Sequence, residues 1–157
     1  MTNPDLRTWP MSDSPFRRSD VSARIGRGDA VWERATHDVL RWKVKTASGV
    51  TVDAPGPVSH GDRVNVTARV FGLAIVEPVE VVTVIEEQDR VGFSYRTLPG
   101  HPVDGEEAFM VHRDGDEVHL TIRSLTRAAP QGLWRVLYPA LRIAQLEARR
   151  RYLRALG

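Results

Sequence analysis

Tyr95, His101 and Glu107 are three proton-handling side chains brought close together in the sequence, among residues that alternate between apolar and polar types. Successive side chains of a strand point to opposite faces, so Phe93, Tyr95 and Thr97 share one face, as do Glu107, Phe109 and Val111. If the loop over residues 99–105 joins antiparallel neighbours, Thr97 faces Glu107, Tyr95 faces Phe109 and Phe93 faces Val111. Asp114-Gly115 is a strong hairpin signal. A two-residue turn there sets Phe109 opposite Leu120 and Glu107 opposite Ile122, with Ser124 one inward step beyond. The inward face is then apolar at one end. Its other end carries Tyr95, Thr97, Glu107 and Ser124, with His101 within reach from the loop.

A carboxylate on such a face is costly unless it is hydrogen-bonded or paired. Three roles for Glu107 stay open. It accepts backbone N–H groups of the Pro99–Gly105 loop, or anchors the polar group of a ligand, or moves a proton beside Tyr95 with a raised pKa. Glu106 points outward, as a solvated charge.

Other chemistries find less support. Cysteine is absent, which removes disulfides and thiolate metal sites. The five histidines, 37, 60, 101, 112 and 119, lack metal-ligand spacing, although His112 and His119 share the outward face of one hairpin. Gly26-x-Gly28 before a helix lacks the remaining residues of a phosphate loop and reads as close packing of a strand–helix turn. No serine stands in a nucleophile motif. No catalytic residue is assigned outright, and neither a metal nor a cofactor is expected.

Charge is unevenly placed. Residues 1–128 carry 16 basic and 19 acidic side chains, whereas residues 129–157 carry 6 arginines against Glu147 alone. Arg135, Arg142 and Arg149 recur on one helical face and read as a solvated helix back, so nucleic acid is not an expected partner. The longest apolar run, 70–76, is far short of the roughly 20 residues that span a bilayer. Met1 to Asp20 contains no signal-like apolar core. A soluble, cytoplasmic protein without an integral membrane segment is expected, with its oligomeric state open.

The elements that must position these groups follow from periodicity. Residues 1–15, rich in proline and small polar side chains, read as a flexible or loosely docked tail. Residues 20–25 alternate as a short strand. Val31, Trp32, Ala35, Val39 and Trp42 recur at helical spacing over residues 29–42. Trp32 and Trp42 are candidate core anchors, and Trp42 is placed to line a cavity mouth. Period-two segments follow from Val64 to Val70, Val79 to Ile85, Val91 to Thr97, 106–113 and 117–126. Past Pro130-Gln-Gly132, Leu133, Leu137, Leu141, Ala144, Ala148 and Tyr152 form an apolar helical stripe, kinked or begun at Pro139. Strands in a block with helices to one side make an α+β domain.

The run Gly92-Phe-Ser-Tyr-Arg-Thr-Leu-Pro-Gly-His-Pro-Val-Asp-Gly-Glu-Glu-Ala-Phe109 resembles the signature of the family catalogued as Domain of Unknown Function nineteen-ninety. Gly26, Gly28, Ala35, Trp42, Pro139, Gln145, Tyr152 and Leu153 agree with it. Arg96 departs from it, standing where the family's pattern has glycine. That family is grouped with the START-like, helix-grip superfamily. The resemblance implies one START-like domain over residues 16–157, a curved antiparallel sheet wrapped around a long C-terminal helix, with a cavity between them. The expected function is binding of a small hydrophobic or amphipathic molecule, with Trp42, Phe93, Tyr95, Thr97, His101, Glu107, Phe109 and Ser124 as ligand-binding residues. Two alternatives stand beside it. One is a cyclase, dehydratase or isomerase using Glu107 or Tyr95. The other is a protein- or RNA-interaction domain using the basic C-terminal helix.

Overall fold

Alternation of apolar and polar residues draws seven segments of the chain into a single sheet. The computed structural model describes residues 1–11, 15–54, 56–70, 72–101, 103–128, 143 and 146–157. Its strands are β1 (Arg17–Arg27), β2 (Thr51–Val52), β3 (Arg63–Val70), β4 (Leu73–Glu86), β5 (Arg90–Thr97), β6 (Val103–Asp114) and β7 (Glu117–Ala128). They form one curved antiparallel sheet in the order β1-β7-β6-β5-β4-β3-β2. Helices α1 (Asp29–Val39) and α2 (Lys43–Thr46) connect β1 to β2. Among the described residues no helix is long and apolar enough to cross a membrane.

The register differs from expectation by two residues. Tyr95 pairs with Glu107, Phe93 with Phe109, Glu107 with Ser124, and Phe109 with Ile122. The hairpin closes at Asp114 and Glu117, so Gly115 and Asp116 occupy the turn, with Gly115 at φ 59°. β6 also begins earlier, at Val103. Gly105 permits this, since a Cβ there would lie 1.8 Å from the Leu125 carbonyl oxygen. A slip of two leaves every side chain on its expected face. In β4 the alternation breaks between Val81 and Thr83, which carries Val84 to the inner face opposite Phe93.

The first helix is shorter than expected. α1 ends at Val39, Leu40 caps it, and Trp42 turns left-handed at φ 62° and ψ 16° before α2 begins. This break drives the Trp42 ring into the sheet, edge-on to Phe93 at 4.8 Å. Trp42, Phe93 and Phe109 are fully buried together with Val39, Val81, Leu120 and Ile122. Trp32 is only half-buried, with the Arg113 guanidinium 5.1 Å above its ring. The core-anchor role therefore belongs to Trp42 and not to Trp32. Gly26 does serve close packing, because a Cβ there would meet Val31 at 2.8 Å.

The opposite face of the sheet carries a second, thinner core. Residues 1–9, expected as a loose tail, lie across it. Arg123 donates to the carbonyls of Thr2, Asn3 and Arg7, and Arg90 to those of Pro4 and Leu6. Thr2 is held by Glu106 through both its N–H and its hydroxyl. Beneath this strap Ser94, Ala108 and Met110 are fully buried. Arg96 also faces outward, exposed and paired with Glu80 at 3.0 Å.

At the C-terminal end residues 146–154 are helical, and Tyr152 and Leu156 are buried against the sheet. The rest of the expected long helix, with Leu133, Arg135, Leu137, Pro139, Leu141, Arg142, Ala144 and Gln145, lies outside the described residues.

Candidate functional site

The inner face divides in two. Its apolar half, Phe93 and Phe109, is filled by Trp42 and forms solid core. Its polar half opens on a cavity of about 480 Å³ between the sheet, α2 and the terminal helical segment. Tyr95, Thr97 and Glu107 line this cavity, as parity predicts, and His101 joins them from the loop. Trp42, Phe93, Phe109 and Ser124 are not among its lining residues. The aromatic rings pack on one another, and Ser124 accepts a hydrogen bond from Arg149 at 2.9 Å. The cavity is accordingly less apolar than expected.

Three further lining residues were not read from the sequence: Lys45 from α2, Glu77 from β4 and Tyr152 from the terminal segment. The left-handed turn at Trp42 starts α2 at an angle that buries the Lys45 side chain, which is only 6% exposed. Its Nζ donates to the Tyr152 hydroxyl at 3.1 Å and lies 3.5 Å from Glu107 Oε1. Tyr95 donates to the same carboxylate oxygen at 2.5 Å. Burial opposes the charge on Lys45, but Tyr152, Tyr95, Glu107 and Glu77 outweigh it and hold the amine protonated, well above its ordinary value. Burial and the Glu107 charge push the Tyr95 phenol well up, so it keeps its proton and acts as a donor. Burial likewise raises Tyr152.

Glu107 thus takes its contacts from Lys45 and Tyr95, while the loop is held by other groups. The Gly105 N–H donates to Thr97 Oγ1 at 2.9 Å, and the Val103 N–H to His101 Nδ1 at 3.0 Å. With Nδ1 accepting, the proton of the neutral imidazole sits on Nε2. Glu77 Oε2 lies 3.8 Å away, beyond hydrogen-bonding reach. Burial raises the Glu77 pKa. The Lys45 charge opposes that rise, and the Glu107 charge adds to it.

Burial and the Lys45 charge lower the His101 pKa to about 3, and burial with the Arg90 charge lowers His112 to about 4. An unfolded histidine binds its proton near 6.5, so the unfolded chain takes up more protons on acidification. Stability from these two residues is whole above pH 6.5 and is lost as pH falls towards their folded values. Urea midpoints measured at several pH values between about 4 and 7 should fall with acid in the wild type, and the fall should shrink in His101→Gln/His112→Gln. An unchanged slope would mean that both rings are hydrated.

His112 and His119 stack on the outer face at 5.5 Å, with His112 Nε2 bonded to Thr121 Oγ1. Among the described residues no group of three His, Asp or Glu side chains is placed to hold a metal ion.

A family model described as Domain of unknown function (DUF1990) matches residues 5–155. The chain belongs to that family. A UPF0548 protein of Deinococcus radiodurans is 35% identical over 150 residues, covering 85% of this DUF1990 chain and 73% of that protein. UPF0548 protein At2g17695 of Arabidopsis thaliana is 28% identical over 112 residues, covering 67% of this chain and 55% of that protein. Among solved structures, hypothetical protein jhp0584 from Helicobacter pylori superposes with a TM-score of 0.63 at 15% identity, covering 99% of this chain and 96% of that one. The Zhui aromatase/cyclase from Streptomyces sp. R1128 gives 0.61 at 17% identity, covering 90% and 91%. Ginseng major latex-like protein 151 from Panax ginseng gives 0.54 at 14% identity, covering 88% and 95%. These likenesses show that the DUF1990 sheet has the fold of these proteins, and they establish the fold alone.

Proposed function

We propose that this DUF1990 protein binds a small amphipathic molecule in the cavity, its polar group on the Lys45–Glu107–Tyr95–Tyr152 cluster and its body against Val50, Ala68, Val103, Ile143 and Ala148. One observation carries this reading: a buried, internally paired charge cluster opens on a cavity of about 480 Å³. A concave site with apolar walls and a few convergent polar groups is the ordinary form of a small-molecule site. The fold, shared with an aromatase/cyclase, lends support because an enzyme of that name takes in an organic molecule.

The test begins with Nile red, an uncharged fluorophore that brightens on leaving water. Saturable binding at one site is the expected result, and no binding would remove the reading. Glu107→Gln then separates anchoring from scaffolding. The variant loses stability because Lys45 loses its partner, so its affinity is read at a temperature where it remains folded. A ligand-anchoring Glu107 predicts that decanamide, a competitor of the dye whose N–H groups can donate to it, binds more weakly by about 1.5–3 kcal/mol, the range of a charge-assisted hydrogen bond. Unchanged affinity would make Glu107 a structural residue.

A second reading rests on the 2.5 Å Tyr95–Glu107 contact, which is placed to pass a proton to a bound molecule. Native mass spectrometry distinguishes the two readings. A co-purified molecule whose mass is unaltered by prolonged incubation supports binding, and one that loses water supports dehydratase chemistry.

A further inference from the structure

Glu77 enters the cavity by strand parity. It shares the inner face of β4 with Ile75, Val79 and Val81, opposite Val66 of β3. Its carboxyl has no hydrogen-bond partner among the described residues, although its side chain is only 19% exposed. Lys45 is engaged by Tyr152 and Glu107. His101 Nε2 lies 3.8 Å from Glu77 Oε2, and the His101 side chain is 9% exposed. Both residues line the cavity. An acceptor and a donor thus face the same space, too far apart to satisfy one another and close enough to be bridged by a single oxygen at ordinary hydrogen-bond distances.

We propose that Glu77 and His101 form a hydroxyl-binding pair, His101 Nε2–H donating to the ligand oxygen and Glu77 accepting from its O–H, so that the ligand is a neutral hydroxylated amphiphile. This rests on the cavity reading above and adds to the Lys45 cluster a second polar contact, which sets the ligand's chemical class. A hydroxyl is the group that both accepts and donates through one atom. A carboxylate head would meet the Glu77 charge at this point, and an ammonium head, which has no lone pair, could not accept the His101 proton. His101 is neutral at pH 7, because burial holds its pKa at about 3. It therefore offers one proton and no charge. The raised pKa of Glu77 reflects its lack of solvation, which a ligand hydroxyl would supply.

The experiment displaces Nile red with four ligands sharing a decyl chain: 1-decanol, its methyl ether, decanoate and decylamine. The full-length protein is used at pH 7.5, as wild type and as Glu77→Gln and His101→Gln. Melting curves verify that each variant is folded, and two independent variants guard against the loss of one. The expected result is that 1-decanol displaces the dye about tenfold more effectively than the ether, the carboxylate or the amine. In either variant this advantage should shrink to about threefold or less. If no decyl ligand and no dye binds, the cavity reading itself fails and takes this inference with it. If the ligands bind but decanoate or decylamine is preferred, the hydroxyl pair is wrong while the cavity reading stands. The pair is equally wrong if the preference for 1-decanol survives both substitutions.

Discussion

Replacing Lys45 by methionine is expected to lower stability by about 3–5 kcal/mol, because it leaves Glu107 buried without its cation. Methionine matches the lysine stem in length and shape, so little packing is lost with the charge. The remaining contact to Glu107, from Tyr95, is a neutral donor and does not replace an ammonium 3.5 Å away. The double variant Lys45→Met/Glu107→Gln should recover most of the loss, since a buried ion pair contributes little beyond an apolar pair of the same size. Urea denaturation at pH 7 of both single variants and the double measures this coupling. A single variant that loses under about 1 kcal/mol would mean that Lys45 is solvated. The alkaline limb gives an independent check. The folded pKa of Lys45 lies above the ordinary 10.5, so its contribution is whole below that pH and is lost only as pH rises through the higher folded value.

Trp42→Ala should cost about 3–5 kcal/mol by core truncation. The ring is 1% exposed and touches both Phe93 and Tyr95, at centroid distances of 4.8 and 5.5 Å. Trp42→Gly offers a sharper test. Glycine adopts a φ of 62° without the steric penalty of a Cβ, so this variant should retain about 1 kcal/mol relative to alanine. At any ordinary position the order would reverse. Trp32→Ala serves as the contrast, with an expected loss of about 1–2 kcal/mol for a half-buried side chain. Equal losses for the two tryptophans, read from urea midpoints, would contradict the core described above.

Much of the sheet could be read from the sequence, and the reasons differ from element to element. Strand faces were legible because parity survives a register error of two, so Tyr95, Thr97 and Glu107 all reached the cavity. The pairing itself was not legible. It depends on Gly105 letting β6 start early and on the turn centring at Gly115 and Asp116, and both are decided by backbone contacts. Lys45 was missed because it falls just past the helix expected over residues 29–42, in a stretch that carries no period of its own. Its burial follows from the left-handed Trp42, which no propensity records. Glu77 was within reach. It shares the phase of Val79 and Val81, but Pro78 reads as the point before which no strand runs, whereas proline there removes no ladder bond that the fold needs. Tyr152 reads as part of an apolar stripe, and its hydroxyl carries no pattern of its own.

The strap over the outer face has a consequence for how this segment can vary. Arg90 and Arg123 grip main-chain carbonyls of residues 2, 3, 4, 6 and 7, atoms that every amino acid possesses. Such a grip is blind to spelling and strict about length. Exchanging Asp5 or Thr8 leaves the pattern of acceptors intact. Deleting Asp5, which stands between two groups of acceptors, slides one group out of step with its guanidinium donors. Away from Thr2, whose hydroxyl also binds Glu106, and the buried Trp9, insertions and deletions damage this segment more than substitutions do.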